Sequence, residues 1–295
     1  MSDFRLKVFE SVARNLSFTK SSRELFISQP AISKHIQELE TVYQTRLFER
    51  MGARIELTAS GHLLLEHTQR ILDEYARLEY EMNLLHDEHR GTLRLGASTT
   101  IAQYVLPPLL ARFVAKFPKV SLSLLNGNSE EIERALVEHR IDLGLVEGNI
   151  RQSNLKYTHF MKDELVAVVN AGSKWKDRDE ISLDELRSIP LVLRERGSGT
   201  LDVVASALAQ HDVRLSDLNV EMYLGSTESI KLYLRHSQAL AVVSIRSISE
   251  ELLMGRFKVL EVRDLEMQRE FDFVELHGED GGLTHLFKQF AQQYQ

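Results

Sequence analysis

The chain reads as a multidomain protein: a mainly α winged helix-turn-helix, a long linker helix, and then two α/β subdomains. Three observations predict this. Residues 17–40, SFTKSSRELFISQPAISKHIQELE, encode two short helices around a tight turn. From Leu64 apolar residues recur at heptad spacing, with no proline before Pro107. Beyond Gly91, strand and helix patterns alternate, which implies a parallel sheet.

The first helix is expected over residues 19–25, with Ser17 or Thr19 as N-cap and Leu25 facing inward beside Phe18 and Phe26. The turn falls at Phe26 and Ile27. Ser28 caps a second helix whose Pro30 sits in the first turn, where a missing N–H costs nothing. Ala31, Ile32, Ile36 and Leu39 take packing positions and leave Gln29, Ser33, Lys34 and Gln37 outward. A recognition helix meets the major groove with its N-terminal residues, so Gln29 and Ser33 are candidates for base edges and Lys34 for a phosphate. Ser17, Thr19, Ser28, Pro30 and Gln37 complete the expected DNA-facing set. An ordinary helical hairpin with a solvated polar face is the alternative. Residues 47–54, LFERMGAR, suit a hairpin wing with Arg50 and Arg54 as phosphate or minor-groove contacts. Residues 55–57 can return as a strand, and Thr58 with Ser60 looks like the cap of a helix from about Ala59.

At this point the chain resembles the LysR-type transcriptional regulators. The resemblance rests on Ser17-Phe18-Thr19, Ser28-Gln29-Pro30-Ala31-Ile32-Ser33, Leu39-Glu40, Leu47-Phe48-Glu49-Arg50 and Leu57-Thr58-Ala59-Ser60-Gly61. It covers the whole chain, most strongly before residue 62. Ser21-Ser22 departs from the pair of alanines usual in the family, which would loosen the helix pair slightly. The resemblance implies double-stranded operator DNA with an inverted repeat, a homodimer or dimer of dimers, contact with RNA polymerase, and a small effector rather than a cofactor.

Composition agrees with an intracellular, cytoplasmic regulator. The 295 residues suffice for two or three domains, and the absence of cysteine removes disulfides, thiolate metal sites and thiol redox sensing. The start of the chain is charged without an apolar signal core, and no run approaches a transmembrane span, so no membrane partner is expected. The net charge of −7 divides unevenly: residues 1–60 hold nine Lys or Arg against seven Asp or Glu, hence +2, leaving −9 for the rest. Attraction to DNA is thereby confined to the N-terminal face.

Leu64, Ile71, Leu78 and Leu85, with Tyr75 and Met82 between them, form the expected dimerisation seam; Thr68 lies at the same spacing. Charged outward positions such as Glu74, Arg77, Glu79 and Glu81 argue for a two-chain coiled coil. A long amphipathic helix lying on its own domain is the alternative. The divisions expected are residues 1–58 for DNA binding, 59–89 for the linker and dimerisation helix, and 90–295 for effector binding.

In the last of these, strands are expected at residues 92–97, 120–125, 141–146, 165–169, 191–194, 220–224 and 240–243, with helices at 101–117 and 130–139 and another opening at Ser198. The pattern resembles the two-lobed, periplasmic-binding-protein-like domain of the same family. That resemblance places the crossovers near Met161-Lys162 and Arg263-Asp264. It gives lobe 1 residues 91–161 and 265–295, ending in a helix over 283–294, and lobe 2 residues 162–264.

Ligands of parallel α/β sheets bind beyond the carboxyl ends of strands, at helix N-termini. Ser98, Thr99 and Thr100 open a helix in one lobe, and Ser198, Gly199 and Thr200, preceded by Arg194 and Arg196, open one in the other. Facing each other they would bind a small anion, such as a carboxylate, sulfate or phosphate ester. Serine and threonine also cap helices for purely structural reasons. Glu147, Ser226 and Thr227 are rim candidates, Glu147 suiting a ligand hydroxyl or amine. The turn at residues 235–239, RHSQA, lacks the glycines usual there in the family. Neither HExxH, GxSxG nor a Walker loop occurs, so no enzyme and no metal site is expected.

Overall fold

The computed structural model describes residues 4–51, 54–84, 89–278 and 282–294. It divides into two units, Met1–His89 and Arg90–Gln295.

The first unit contains α1 (Phe4–Asn15), α2 (Phe18–Glu24), α3 (Gln29–Tyr43), the hairpin β1 (Phe48–Met51) and β2 (Arg54–Leu57), and the long α4 (Ala59–Leu84). Helix α1 was not among the expected elements, yet its Leu6, Val8, Phe9, Val12 and Ala13 fill the core against Ile32, Ile36, Leu39, Leu47 and Phe48. Leu25 and Ile27 pack on this core. Phe26, expected to face inward, is 94% exposed: its φ of 55° is left-handed and turns the ring away from its two inward neighbours. The two serines do not leave loose hydroxyls. Buried Ser21 donates to the Ser17 carbonyl at 3.0 Å and Ser22 to the Thr19 carbonyl at 3.0 Å.

Glu24 ties α2 to α1 by accepting hydrogen bonds from Ser11 at 2.9 Å, from Asn15 at 2.6 Å and from Arg14. Burial pushes this carboxyl up, but the Asn15 and Ser11 bonds and the Arg14 charge outweigh it and hold the group below its usual range.

Along α4, Leu64 packs with Leu65 and Leu72 against the core of its own unit, because the start of the helix lies on α1; it is not part of an open seam. Thr68 is buried on the same stretch. Ile71, Leu78 and Met82 are exposed, as is Leu63, and Tyr75 is half-buried. Leu85 lies outside the described residues.

The second unit runs β3 (Gly91–Ser98), a π-helical turn (Ile101–Val105), α5 (Leu106–Lys116), β4 (Val120–Gly127), α6 (Ser129–Val137), β5 (Leu143–Glu147) and β6 (Leu155–Asn170). It continues through β7 (Glu180–Ile181), α7 (Leu183–Ser188), β8 (Leu191–Arg194), α8 (Gly199–Ala209), β9 (Val220–Leu224), α9 (Thr227–Leu234) and β10 (Leu240–Ser244). The last elements are α10 (Ser249–Leu253), β11 (Phe257–Val262), β12 (Gln268–Leu276) and α11 (Gly282–Gln292). Strand order is β4-β3-β5-β12-β6-β10-β8-β9, with β11 also on β6. The parallel sets β4-β3-β5 and β9-β8-β10 are joined by antiparallel β12 and β6.

Strand β6 serves both lobes. Its residues 155–164 pair with β12, and Leu165 to Asn170 pair with β10 and β11, so the sheet changes partners near Glu164 without a break in the strand. Phe287, Phe290 and Ala291 of α11 return to the first lobe's core beside Leu93, Leu95, Leu143 and Phe113. The second lobe encloses its own core around Val169, Leu193, Leu208 and Val242. The turn that lacks glycine is held from outside instead: the Asn170 side-chain amide donates to the carbonyls of Leu234 at 3.1 Å and Arg235 at 2.9 Å.

Candidate functional site

In the first unit, Ser17 accepts the Lys20 N–H at 3.2 Å and Ser28 the Ala31 N–H at 3.3 Å, so both cap their helices. On α3, Gln29, Pro30, Lys34 and Gln37 are exposed and Ser33 is half-buried, while Ile32, Ile36 and Leu39 face the core. Thr19 and Arg54 are exposed. Arg50 is described through its backbone alone, opposite Ile55 in the hairpin; Gly52 and Ala53 lie outside the described residues. Glu40 on α3 accepts the Leu47 N–H at 2.8 Å, which fastens the helix to the base of the hairpin. Gly61 allows α4 to begin against Leu47, because a Cβ there would overlap the Leu47 carbonyl. The result is one helix with exposed amide and ammonium groups, rigidly set beside a two-stranded wing.

In the second unit the hydroxyls of the two lobes converge, and at their centre stands Glu147. Its buried carboxylate accepts from Ser98 at 2.9 Å, Thr100 at 3.1 Å and Thr200 at 3.4 Å, and pairs with Arg269 at 3.2 Å. Ser98 and Thr100 are thus committed to an internal carboxylate, where an open hydroxyl cluster was expected. Glu147, expected at the rim, is 4% exposed. Arg269 also donates to Thr200 at 2.9 Å and to Asp163 at 2.7 Å, and Asp163 accepts from Ser244 at 2.7 Å. Each buried charge in this chain of contacts has a partner, as burial requires.

Arg194 is the largest fully buried side chain. Its guanidinium reaches Thr99 of lobe 1 at 3.3 Å and Thr227 of lobe 2 at 3.5 Å, and is paired with Glu195 at 2.8 Å. Thr99 in turn donates to the Gly127 carbonyl at 3.1 Å. Ser198 precedes α8 without capping it, and its buried hydroxyl has no hydrogen-bond partner. Ser226 caps α9, accepting the Ser229 N–H at 3.1 Å.

The lobes touch through two glycines. A Cβ on Gly199 would overlap the Glu147 carbonyl, and one on Gly148, where φ is 125°, would stand 3.1 Å from the Gly199 Cα. Tyr104 of lobe 1 donates to Glu228 of lobe 2, and burial with the neighbouring Glu228 charge pushes its phenol up. Near the Gly148–Gly199 contact, burial raises the Asp202 carboxyl, helped by Glu130. Burial also raises Glu133, and the charges of Asp202 and Glu130 add to it against the lowering hydrogen bonds from Tyr157 and Gln152.

Sequence reading missed Arg269 and Asp163 because neither sits in a turn or a helix start. The available signal was the alternation Met267, Arg269, Phe271, Phe273, which places an arginine on the buried face of a strand.

Comparison with known proteins agrees with this layout. The model of the bacterial regulatory helix-turn-helix protein, lysR family, matches residues 4–62, and the LysR substrate binding domain matches residues 86–295. The chain is 33% identical over 251 residues to the uncharacterized HTH-type transcriptional regulator YeiE of Escherichia coli, covering 85% of this chain and 83% of that protein. Among solved structures it resembles the CcmR regulatory domain of Synechocystis in complex with 2-PG, at TM-score 0.63 and 26% identity, covering 70% of this chain and 97% of that one. Full-length CbnR complexed with its target DNA has the same fold, at TM-score 0.65 and 20% identity over the whole of both chains.

Proposed function

Because this chain belongs to the LysR family of bacterial helix-turn-helix regulators, we propose that it binds an inverted-repeat operator as a dimer, or dimer of dimers, under the control of a small anionic effector held between its lobes. It is a transcriptional regulator with an effector-binding domain, not an enzyme.

Residues 1–58 carry DNA recognition in this reading, with Gln29 and Ser33 at base edges and Lys34 and Arg54 on phosphates. Residues 59–89 supply the dimer contact through Ile71, Tyr75, Leu78 and Met82, three of which are exposed apolar side chains on an otherwise charged helix. The same reading locates the protein with its DNA in the cytoplasm and has altered DNA bending change its contact with RNA polymerase.

The observation that carries the anionic effector is Arg194, a buried guanidinium lying between hydroxyls of both lobes. An anion there takes donors from each lobe, in the place of the half-exposed Glu195 carboxylate. The complex of the similar CcmR regulatory domain with 2-PG supports this reading. A ligand shifts the lobes only by binding one arrangement more tightly than another. The test is a thermal-shift titration of the full chain with small carboxylates, sulfate and phosphate esters. Stabilisation by one anion class, lost in Arg194→Met, is expected. Stabilisation only by neutral or cationic compounds overturns it.

A further inference from the structure

On the first lobe, away from Glu147, the side chains of His159 on β6 and of Glu270 and Asp272 on β12 converge, with one ligand atom from each lying within 4.8 Å of the other two. We propose that these three residues bind a divalent transition-metal ion of the zinc type, which clamps β6 to β12.

The backbone builds the cluster. The β6–β12 register shifts between Phe271 and Asp272, so that His159 comes opposite Asp272 and Phe160 is left over as a bulge. Without that extra residue the alternation of the strand would turn the imidazole to the other face. The donors, one imidazole and two carboxylates, are ligand types that zinc accepts, and three of them leave a fourth tetrahedral position for water. The spacing is close to what the ion needs: ligand atoms at about 2.0–2.1 Å from zinc stand about 3.3 Å apart in a tetrahedron. His159 Nδ1 and Glu270 Oε2 already stand 3.4 Å apart. Both side chains are about half exposed and free to adjust towards Asp272.

The independent observation is Asp272 itself. Its side chain is 4% exposed, yet Oδ1 has no hydrogen-bond partner. A buried carboxylate oxygen left unpaired is costly and calls for a cation or donor. Arg151 does not fill this role: it holds the other oxygen, Oδ2, at 2.7 Å, stands 3.8 Å from Glu270, and stacks its guanidinium over Tyr157 at 5.4 Å. Counting Asp272, Glu270 and Arg151 with a neutral imidazole, the cluster is −1, so a divalent ion brings it to +1 while Arg151 keeps its bond to Oδ2 and orients the ligand from behind.

The experiment uses the full chain, dialysed against a chelator and then titrated with Zn2+ by calorimetry, with metal content and melting temperature measured on the same samples and Mg2+ as control. One Zn2+ per chain is expected, with a raised melting temperature and no effect of Mg2+. His159→Ala and Glu270→Gln, at exposed positions, are each expected to weaken binding about tenfold or more without lowering the metal-free melting temperature. The chain has eleven histidines, so the variants decide. Zn2+ binding unchanged by both His159→Ala and Glu270→Gln, or equal binding of Mg2+, overturns the proposal.

Discussion

Replacing Gly199 by alanine tests whether the closed arrangement of the lobes depends on the two-glycine contact. Gly199 has no left-handed φ, so alanine brings no backbone strain and is the better helix former. The whole effect is steric. The new methyl would overlap the Glu147 carbonyl and stand 2.8 Å from its Cγ, and backbone cannot swing aside as a side chain can. Restoring ordinary carbon contacts requires the lobes to part by roughly 1 Å or more. That displacement breaks the Thr200–Glu147 bond at 3.4 Å and the Arg269–Thr200 bond at 2.9 Å. At about 1 kcal/mol per hydrogen bond, closure is weakened by roughly 2 kcal/mol, a population shift of about thirtyfold. Amide hydrogen exchange on the full chain reads this directly. Peptides covering residues 143–148 and 198–204 are expected to exchange faster by about that factor, while those covering 93–97, in the first lobe's interior, stay unchanged. Unaltered exchange at both lobe edges would refute the reasoning, because the contact would then carry no part of closure.

Further outcomes follow from the same geometry. Gln29→Ala should cost about 1–3 kcal/mol at the operator and relax selectivity, whereas Lys34→Ala should weaken all DNA and lower the salt slope by about one, both read by titration at several salt concentrations. Glu40→Ala strands the buried Leu47 N–H and should destabilise the first unit by about 1–3 kcal/mol in denaturant unfolding. Glu24 sits below its usual range in the folded state, so its contribution is present above the unfolded value of 4.5 and fades as pH falls; Glu24→Gln should lower the melting temperature at pH 7 more than near pH 4. Asp202 has the opposite sign: its carboxyl is raised, so it favours the fold below its unfolded value of 3.8 and costs stability once pH rises through the folded value. Asp202→Asn should therefore raise the melting temperature at pH 8 and change it less near pH 3.5.

The parts of the fold legible in the sequence were those with a local signature. Ser28-Gln29-Pro30 marks the start of α3 because capping and the proline position are decided within four residues, and the strands β8 and β9 show as short apolar runs between turns. What escaped was set by partners far along the chain. The buried face of α1 is defined by α3 and the hairpin that come later in the chain, and β12 reads as a strand only once β5 and β6 flank it. The cleft hydroxyls were found because Ser98, Thr100 and Thr200 cluster at helix starts, whereas their acceptor was misjudged: the depth of Glu147 depends on Gly199, more than fifty residues later. Leu64 and Thr68 followed the heptad spacing, but spacing alone does not tell which turns of α4 lie on α1.

The position of β12 also fixes an order of events during synthesis. It inserts between β5 and β6, yet it emerges only after the whole second lobe has been made. The helix-turn-helix unit and the second lobe's parallel strands can therefore complete first, whereas the nascent first lobe waits with the edges of β5 and β6 unpaired. Unpaired edges are where chains stick to one another, so this interval is the vulnerable stage of biogenesis. Chains halted before Gln268 would carry a complete helix-turn-helix unit but a first lobe without the strand that joins β5 to β6.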